Sequence, residues 1–392
     1  DMLIAVTQVD EVNMTACQVA HSIFNIPTRI ARIRAQSYLQ SEWSDLFARD
    51  QLPIDVIISP EVEVGDLILQ RMAYPGASDI VAFDDDQVLV ITVGVNEDCA
   101  IVDTPLQQLT DLFPNLDATV MGVRRNGEMR ALKSDDYLIP GDDAIVAVSR
   151  QQVNRVLQMF GKDRAFPNKV VIGGAGNVGQ YVARRLEEAG EGISVRLIEN
   201  DRDRAQQAAE SLKNAIVVYG DGLHEDIMHE VGISKAQMYL GLTNDDETNI
   251  LSSVLASELG DATTIALVNQ PQYPRFARRL GVDAFLNPRT VTVSKILRHV
   301  RRGRIRGVYT LYNGAAELIE AEALETSPLV GRPLKDVELG DDVRIGAIIR
   351  GGEMQIPTGQ TRVEAGDLVI VFALADAVRK VEQMFRVSID FF

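Results

Sequence analysis

The feature that most constrains this fold is a repeat of the chain within itself. DMLIAVTQVDEVNMTACQVA, residues 1–20, aligns with QMYLGLTNDDETNILSSVLA, residues 237–256. Met2, Thr7, Asp10, Glu11, Asn13 and Ala20 meet Met238, Thr243, Asp246, Glu247, Asn249 and Ala256 at a constant offset of 236. Further on, VRRNGEM at 123–129 pairs with IIRGGEM at 348–354, and PGDDAIVAV at 140–148 with AGDLVIVFA at 365–373, both at an offset of 225; QMF recurs at 158 and 383. Offsets that differ by 11 are what two copies separated by insertions and deletions leave behind. Whatever folds from this sequence is therefore built twice. A chain of 392 residues also exceeds the roughly 250 at which single hydrophobic cores stop growing.

Each copy reads as an α/β unit followed by a smaller β-rich unit of about eighty residues. In the second copy the α/β unit begins near Lys169, so residues 169–236, 68 in all, have no counterpart before Asp1. The expectation is a fragment, or an incomplete gene model, that opens at the fourth strand of its first α/β unit. The expected division is 1–77, the rear half of a first nucleotide-type unit; 78–161, its β-rich follower; 167–302, a complete second unit; and 307–388, the second follower.

The second copy can be read from its start. KVVIGGAGNVGQYVARRLEEAG, 169–190, runs from a β-branched strand through Gly174-x-Gly176-x-x-Gly179 into an amphipathic helix. The spacing has a physical reading: Gly174 permits the turn, Gly176 lets backbone approach a pyrophosphate, and Gly179 lets helix pack on strand. The helix N-terminus then offers free N–H groups to the anion. ISVRLIEN supplies a second strand ending in Glu199, 20 residues after Gly179, placed to accept hydrogen bonds from the adenosine ribose. Further strands end at Asp221 and Thr243, on the carboxyl edge where open α/β sheets hold ligands. Asp221 is placed to serve that cleft, to cap the following helix, or both, and TNDDETN around Thr243, Asp246 and Glu247 is also a sound helix-capping run. Alternation continues through TTIALV, YPRFARRLG, DAFLNP and TVTVSKILRHVRR, giving tandem Rossmann-like doubly wound parallel sheets. In the first copy the matching elements are ARIRA at 31, a helix near 41–50, VIISP at 56 and a helix at 61–72. The β-rich followers read as hairpins with turns at Asn126-Gly127 and Gly351-Gly352, each closed by one amphipathic helix, and look like ligand or dimerisation modules.

A catalytic reading finds little to stand on. The four histidines, His21, His224, His229 and His299, form no metal-spaced pair, and Cys17 and Cys99 lie far apart. No Walker lysine follows the glycines and no nucleophile elbow is present. The net charge of −17 opposes nucleic-acid phosphates and an anionic membrane surface. No stretch approaches the ~20 apolar residues of a spanning helix. One local exception to the acidic balance is KILRHVRRGRIRG, 295–307, with Lys295, Arg298, Arg301, Arg302, Arg304 and Arg306. It is read as a helix C-terminus meeting its dipole, or as a docking patch at a hinge.

The order of parts, with VVIGGAGNVGQ, YGDG, LTNDDETNI, AVTQVDEVNMTACQVA and QRMAYPGA, resembles the family of cytosolic regulatory subunits of bacterial Trk potassium-uptake systems. Its members carry two RCK (KTN) domains, each followed by an RCK C-terminal domain, and the resemblance spans the whole chain. It implies a regulatory site for NAD(H) or adenine nucleotides such as ATP and ADP, and no catalysed reaction. It also implies pairing into a homo-oligomeric ring beneath a membrane-embedded potassium channel subunit, peripheral on the inner face of the plasma membrane. Carried over by motif, the second site comprises Gly174, Gly176, Asn177, Val178, Gly179, Glu199, Asp221 and Thr243, and of the first site only Thr7 and its acidic turn remain. Hinges are expected near YPGA at 74–77 and in RRGRIRG. The competing readings are a nicotinamide-dependent oxidoreductase and a scaffold that binds nothing. Glu199 argues for weaker NADP binding, with Arg196, Arg202 and Arg204 nearby as the opposing consideration.

Overall fold

A computed structural model describes residues 1–39, 45–47, 51–84, 86–113, 115–162, 165–190, 192–300 and 305–385. The expected first-copy helix near 41–50 and most of the RRGRIRG run lie outside the described residues. The chain divides into two compact units, Asp1–Leu69 with Pro167–Ile296, and Gln70–Phe166 with Leu297–Phe392. The copies thus group by type of segment rather than by order along the chain.

The first unit is built of parallel sheets. From the first copy come β1 (Met2–Ala5), α1 (Asp10–Ser22), β2 (Thr28–Arg32), β3 (Val56–Ile58) and α2 (Pro60–Ala73), whose last residues pass into the other unit; the strands form a parallel sheet in the order β1-β2-β3.

The second unit opens with β4 (Ala77–Phe83), β5 (Val88–Gly94), α3 (Leu106–Leu112), β6 (Ala118–Arg125), β7 (Glu128–Ala131), β8 (Asp143–Ser149) and α4 (Val153–Met159).

The chain then returns to the first unit through β9 (Lys169–Gly173), α5 (Asn177–Glu188), β10 (Ser194–Glu199), α6 (Arg202–Ser211), β11 (Ile216–Tyr219) and α7 (Glu225–Glu230). It continues with β12 (Met238–Gly241), α8 (Asp246–Gly260), β13 (Thr263–Leu267), α9 (Tyr273–Arg279), β14 (Ala284–Leu286) and α10 (Pro288–Val300). These six strands pair in the order β11-β10-β9-β12-β13-β14, all parallel. The order reverses beside β9, so the crevice of a doubly wound sheet opens between β9 and β12 at their carboxyl ends. The central strands are buried on both faces, as a sheet covered by helices requires: Val170, Val171, Ile172 and Leu240 are all nearly inaccessible.

The correspondence between β1-β2-β3 and β12-β13-β14 reaches single hydrogen bonds. Thr7 N–H and hydroxyl both donate to Asn13 Oδ1 at 2.8 Å, and Asn13 Nδ2 donates to Thr7 O and Arg32 O. Thr243 N–H and hydroxyl donate to Asn249 Oδ1 at 2.8 and 2.7 Å, and Asn249 Nδ2 donates to Thr243 O and Leu267 O. Asp10 accepts from the Arg34 and Ala35 amides as Asp246 does from those of Asn269 and Gln270, and Tyr38 reaches Glu11 as Tyr273 reaches Glu247.

Within the same unit, α2 packs on the second copy. Tyr181 of α5 lies over Gly65, where an added Cβ would stand 2.3 Å from its Cδ1, and the Tyr181 hydroxyl donates to Asp66 at 2.7 Å. Lys295 of α10 pairs with Glu63 at 3.1 Å.

The second unit closes with β15 (Ile305–Leu311), β16 (Ala316–Glu322), β17 (Val343–Arg350), β18 (Glu353–Gln355), β19 (Leu368–Leu374) and α11 (Val378–Met384). Its two antiparallel sheets share one topology, β4-β5-β8-β6-β7 and β15-β16-β19-β17-β18. The expected hairpins are present: Asn126 and Gly127 both have positive φ, as do Gly351 and Gly352, the conformation of a type I′ turn. One core joins the inner faces of both sheets, with Met121, Ile145 and Ala147 against Ala347, Ile349 and Phe372. The two β-rich followers therefore pair with each other inside the chain. Each carries a bulge at the matching place, between Val120 and Gly122 and between Ile345 and Ala347. The bulged residues are not alike: the Met121 sulfur lies 2.1 Å from where a Cβ on Gly346 would be. A side chain in one copy fills the space left by a glycine in the other. Among the described residues no helix is long and apolar enough to cross a membrane.

Candidate functional site

The glycine run builds the floor of the crevice. β9 ends at Gly173, and Gly174 turns the chain with φ +103°; a Cβ there would lie 3.0 Å from Thr243 N and 3.1 Å from Leu242 C at the end of β12. Gly176 caps α5 with φ −71°, and a Cβ on it would meet no atom within 4 Å, so its backbone is open to the crevice. At Gly179 the opposite holds, since a Cβ would stand 2.1 Å from the Gly174 carbonyl oxygen. Gly174 and Gly179 thus take the turn and packing roles that the spacing predicts, and Gly176 is left open. No side chain caps α5, so its first-turn N–H groups keep their capacity for an anion.

Glu199 closes β10 and is only 5% exposed. Its Oε1 accepts from the Asp201 amide at 2.9 Å and from Arg204 Nη2 at 2.8 Å, and its Oε2 from the Ala175 amide at 2.9 Å. Burial alone pushes this carboxyl up; the Arg204 guanidinium and the two amides outweigh it and hold the group below the usual carboxylate value. The Ala175 bond ties the glycine turn to the carboxylate that ends β10.

Asp221 sits in the loop after β11, and its Oδ1 accepts from the Leu223 amide at 2.9 Å. It is therefore not the cap of the next helix: that place belongs to His224, which gives no side-chain bond. Thr243 follows β12, held by Asn249 as above. The cap of α8 is Asp245, which accepts from the Thr248 amide at 2.7 Å. Asp246 is buried and bound to the loop after β13, so it braces the sheet edge rather than facing the crevice.

These residues surround one cleft of about 440 Å³, lined by Gly174, Gly176, Asn177, Val178, Glu199, Asp221 and Thr243 among others. Gly179 stands behind it, in the packing of helix on strand. Thr7 lines none of this cleft; it repeats the local geometry of Thr243 at the end of β1. None of the four histidines lines it. Of the three arginines near Glu199, only Arg204 does; Arg196 donates instead to the Glu230 carbonyl at 3.3 Å.

Two lining residues come from the first copy, Arg34 after β2 and Glu61 at the start of α2. Arg34 Nε donates to Glu61 Oε1 at 2.9 Å, with the arginine side chain 47% exposed. Glu61 Oε2 is buried without a hydrogen-bond partner. Sequence reasoning missed both, because nothing in a local pattern tells which surfaces of two copies meet. In the basic run, Lys295 and Arg306 are engaged by Glu63 and Glu322, while the Arg298 side chain and Arg301, Arg302 and Arg304 lie outside the described residues.

The family models for the TrkA-N domain and the TrkA-C domain match residues 170–288 and 318–386. The potassium uptake protein TrkA of the Azorhizobium caulinodans Trk system is 53% identical over all of this chain and 86% of that protein. The chain belongs to the TrkA family. The TrkA proteins of Halomonas elongata and Haemophilus influenzae are 36% and 35% identical, again over the whole chain and 86% and 85% of theirs. Membership places it among potassium-uptake proteins of the Trk system and not among nicotinamide-dependent oxidoreductases. Among solved structures, the GsuK RCK domain aligns with TM-score 0.55 at 17% identity, covering 97% of this chain and 80% of that one. The GsuK channel bound to NAD aligns with TM-score 0.55 at 16% identity, covering 98% and 66%. At such identities the likeness establishes the fold, and it is the fold of tandem TrkA-type units.

Proposed function

We propose that the cleft of the second copy binds NAD(H), or an adenine nucleotide such as ATP or ADP, as a regulatory ligand. Occupancy then biases a membrane-embedded potassium channel subunit of the Trk type, beneath which the chain sits in a homo-oligomeric ring on the cytoplasmic face. The observation that carries the reading is the joined glycine turn and carboxylate. Gly176 leaves backbone open beside an uncapped helix N-terminus, and Glu199 is bonded to the same turn through Ala175. A pyrophosphate on the first and a ribose on the second are the two groups that a dinucleotide presents together. Family membership supports a role in potassium uptake, and the solved GsuK channel bound to NAD makes that dinucleotide the first to test. Asn177 and Val178 supply first-turn amides, and Asp221 and Thr243 form the far lip.

Regulation needs a ligand whose affinity differs between two states. Arg34 and Glu61 provide a route, since they bring the first copy to the edge of the second copy's cleft. Calorimetric titration of the 392-residue chain with NADH, NAD, ATP and ADP tests the reading, beside Glu199→Ala. Saturable binding that the variant loses, without turnover, supports it; no binding by any of the four overturns it and leaves a scaffold.

A further inference from the structure

We infer that Arg204 sets the response of this cleft to the ribose 2′ position and admits 2′-phosphorylated dinucleotides beside unphosphorylated ones. The inference rests on the nucleotide reading above. It starts from the occupancy of one carboxylate. Each carboxylate oxygen offers two acceptor positions. On Glu199, Oε1 already takes the Asp201 amide and Arg204 Nη2, and Oε2 takes the Ala175 amide. One position is left, whereas a ribose with both hydroxyls free offers two donors. A ribose gripped by both oxygens must displace a donor.

The two amides belong to the backbone turns that shape the cleft. Arg204 is the movable donor: its side chain is 53% exposed and lines the cleft. It also has somewhere to go, for Asp201 Oδ2 lies 3.7 Å from its Nη1. Its backbone stays put meanwhile, because the Arg204 amide donates to Asp201 Oδ1 at 2.9 Å in the cap of α6.

A 2′-phosphate beside Glu199 alone would be repelled, and from that carboxylate the sequence reads NADP as the weaker ligand. The guanidinium changes the balance. Turned from Glu199 onto the phosphate, it presents a planar fork that matches phosphate oxygens, while Glu199 keeps its two backbone donors. Arg204 thus serves either ligand, handed to Asp201 when the ribose is free and to the phosphate when it is not. Neither Arg196, drawn to the Glu230 carbonyl, nor Arg202, which does not line the cleft, can take that part.

The experiment is calorimetric titration of the full chain with NADH and with NADPH, in the parent and in Arg204→Met, which keeps the stem and removes the fork. The expected parent dissociation constants lie within tenfold of each other. Arg204→Met should weaken NADPH at least tenfold more than it weakens NADH. Arg204→Lys, which keeps charge without the fork, should also weaken NADPH by more than it weakens NADH, and serves if the methionine variant does not fold. NADPH more than a hundredfold weaker than NADH in the parent overturns the inference. So does an equal loss of both ligands in the variants, which would mean that Arg204 only holds Glu199 in place. Failure of both ligands to bind the parent sinks the nucleotide reading itself and is thereby told apart.

Discussion

Alanine at Gly176 and at Gly179 should separate ligand binding from folding. At Gly179 the added methyl would stand 2.1 Å from the Gly174 carbonyl oxygen, and the obstacle is backbone, so α5 must shift off β9 by about 1 Å. Overpacking of this kind costs roughly 1–3 kcal/mol, and a carbonyl that cannot rotate away puts it at about 3. Removing a helical glycine returns about 1 kcal/mol. The net loss is about 2 kcal/mol, which for a unit of this size lowers Tm by roughly 4–8 °C. At Gly176 an added methyl meets nothing within 4 Å and φ is −71°. Only the poorer N-cap preference of alanine is lost, about 0.5–1 kcal/mol, or less than roughly 4 °C. The proposed function puts a pyrophosphate in that empty space, so Gly176→Ala should weaken NADH at least tenfold in calorimetry while its melting curve stays near the parent's. A Gly179→Ala protein that melts with the parent, or a Gly176→Ala protein that binds NADH as well as the parent, would refute the reasoning.

Asn249→Ala removes a fully buried amide that joins Thr243 to the Leu267 carbonyl; with three backbone groups left unsatisfied the cost should be about 3 kcal/mol, read as a lower denaturation midpoint. Glu199 gives a pH signature. Its folded pKa is depressed below 4.5, so its contribution is complete above that value and is lost as pH falls through the lower folded one. Acid melting curves of the parent and Glu199→Gln should therefore converge as pH drops below about 4.5, and a gap that stays constant down to pH 2.5 would contradict the pairing.

The sequence carried the second α/β unit almost entirely, and for a physical reason. Its first three strands are short β-branched runs, its glycine turn opens α5, and α6 and α8 start at capping aspartates, so these elements are specified locally. The glycine roles were legible because a Cβ is excluded by nearby backbone at Gly174 and Gly179. The role of Asp221 was not. Whether an aspartate caps a helix or closes its own loop turns on two residues of register, and DGLH allows both; the chain starts α7 after His224 instead. Arg204 was visible only as one of three arginines, because pairing with Glu199 is decided by the direction of a side chain.

What the sequence could not carry is the meeting of the two copies, and there the repeat itself is informative. Thr7 and Asn13 hold the same bonds as Thr243 and Asn249, although Thr7 lines none of the nucleotide cleft. The motif has a structural task in both copies: Asn249 and Asn13 each staple the start of a helix to the neighbouring strand. Thr243 thus lines the cleft and holds the sheet edge at once. The residues that bring the first copy to the cleft are of another kind. Glu61, Glu63, Gly65 and Asp66 lie within one turn and a half of α2, and between them they meet three parts of the second copy: Glu61 the cleft, Glu63 α10, and Gly65 and Asp66 α5. A change at the cleft edge that moves Glu61 cannot leave Gly65 and Asp66 where Tyr181 holds them, because a helix moves as one rigid element. The contact through which the proposed ligand would reach the first copy is thus the same contact that packs it.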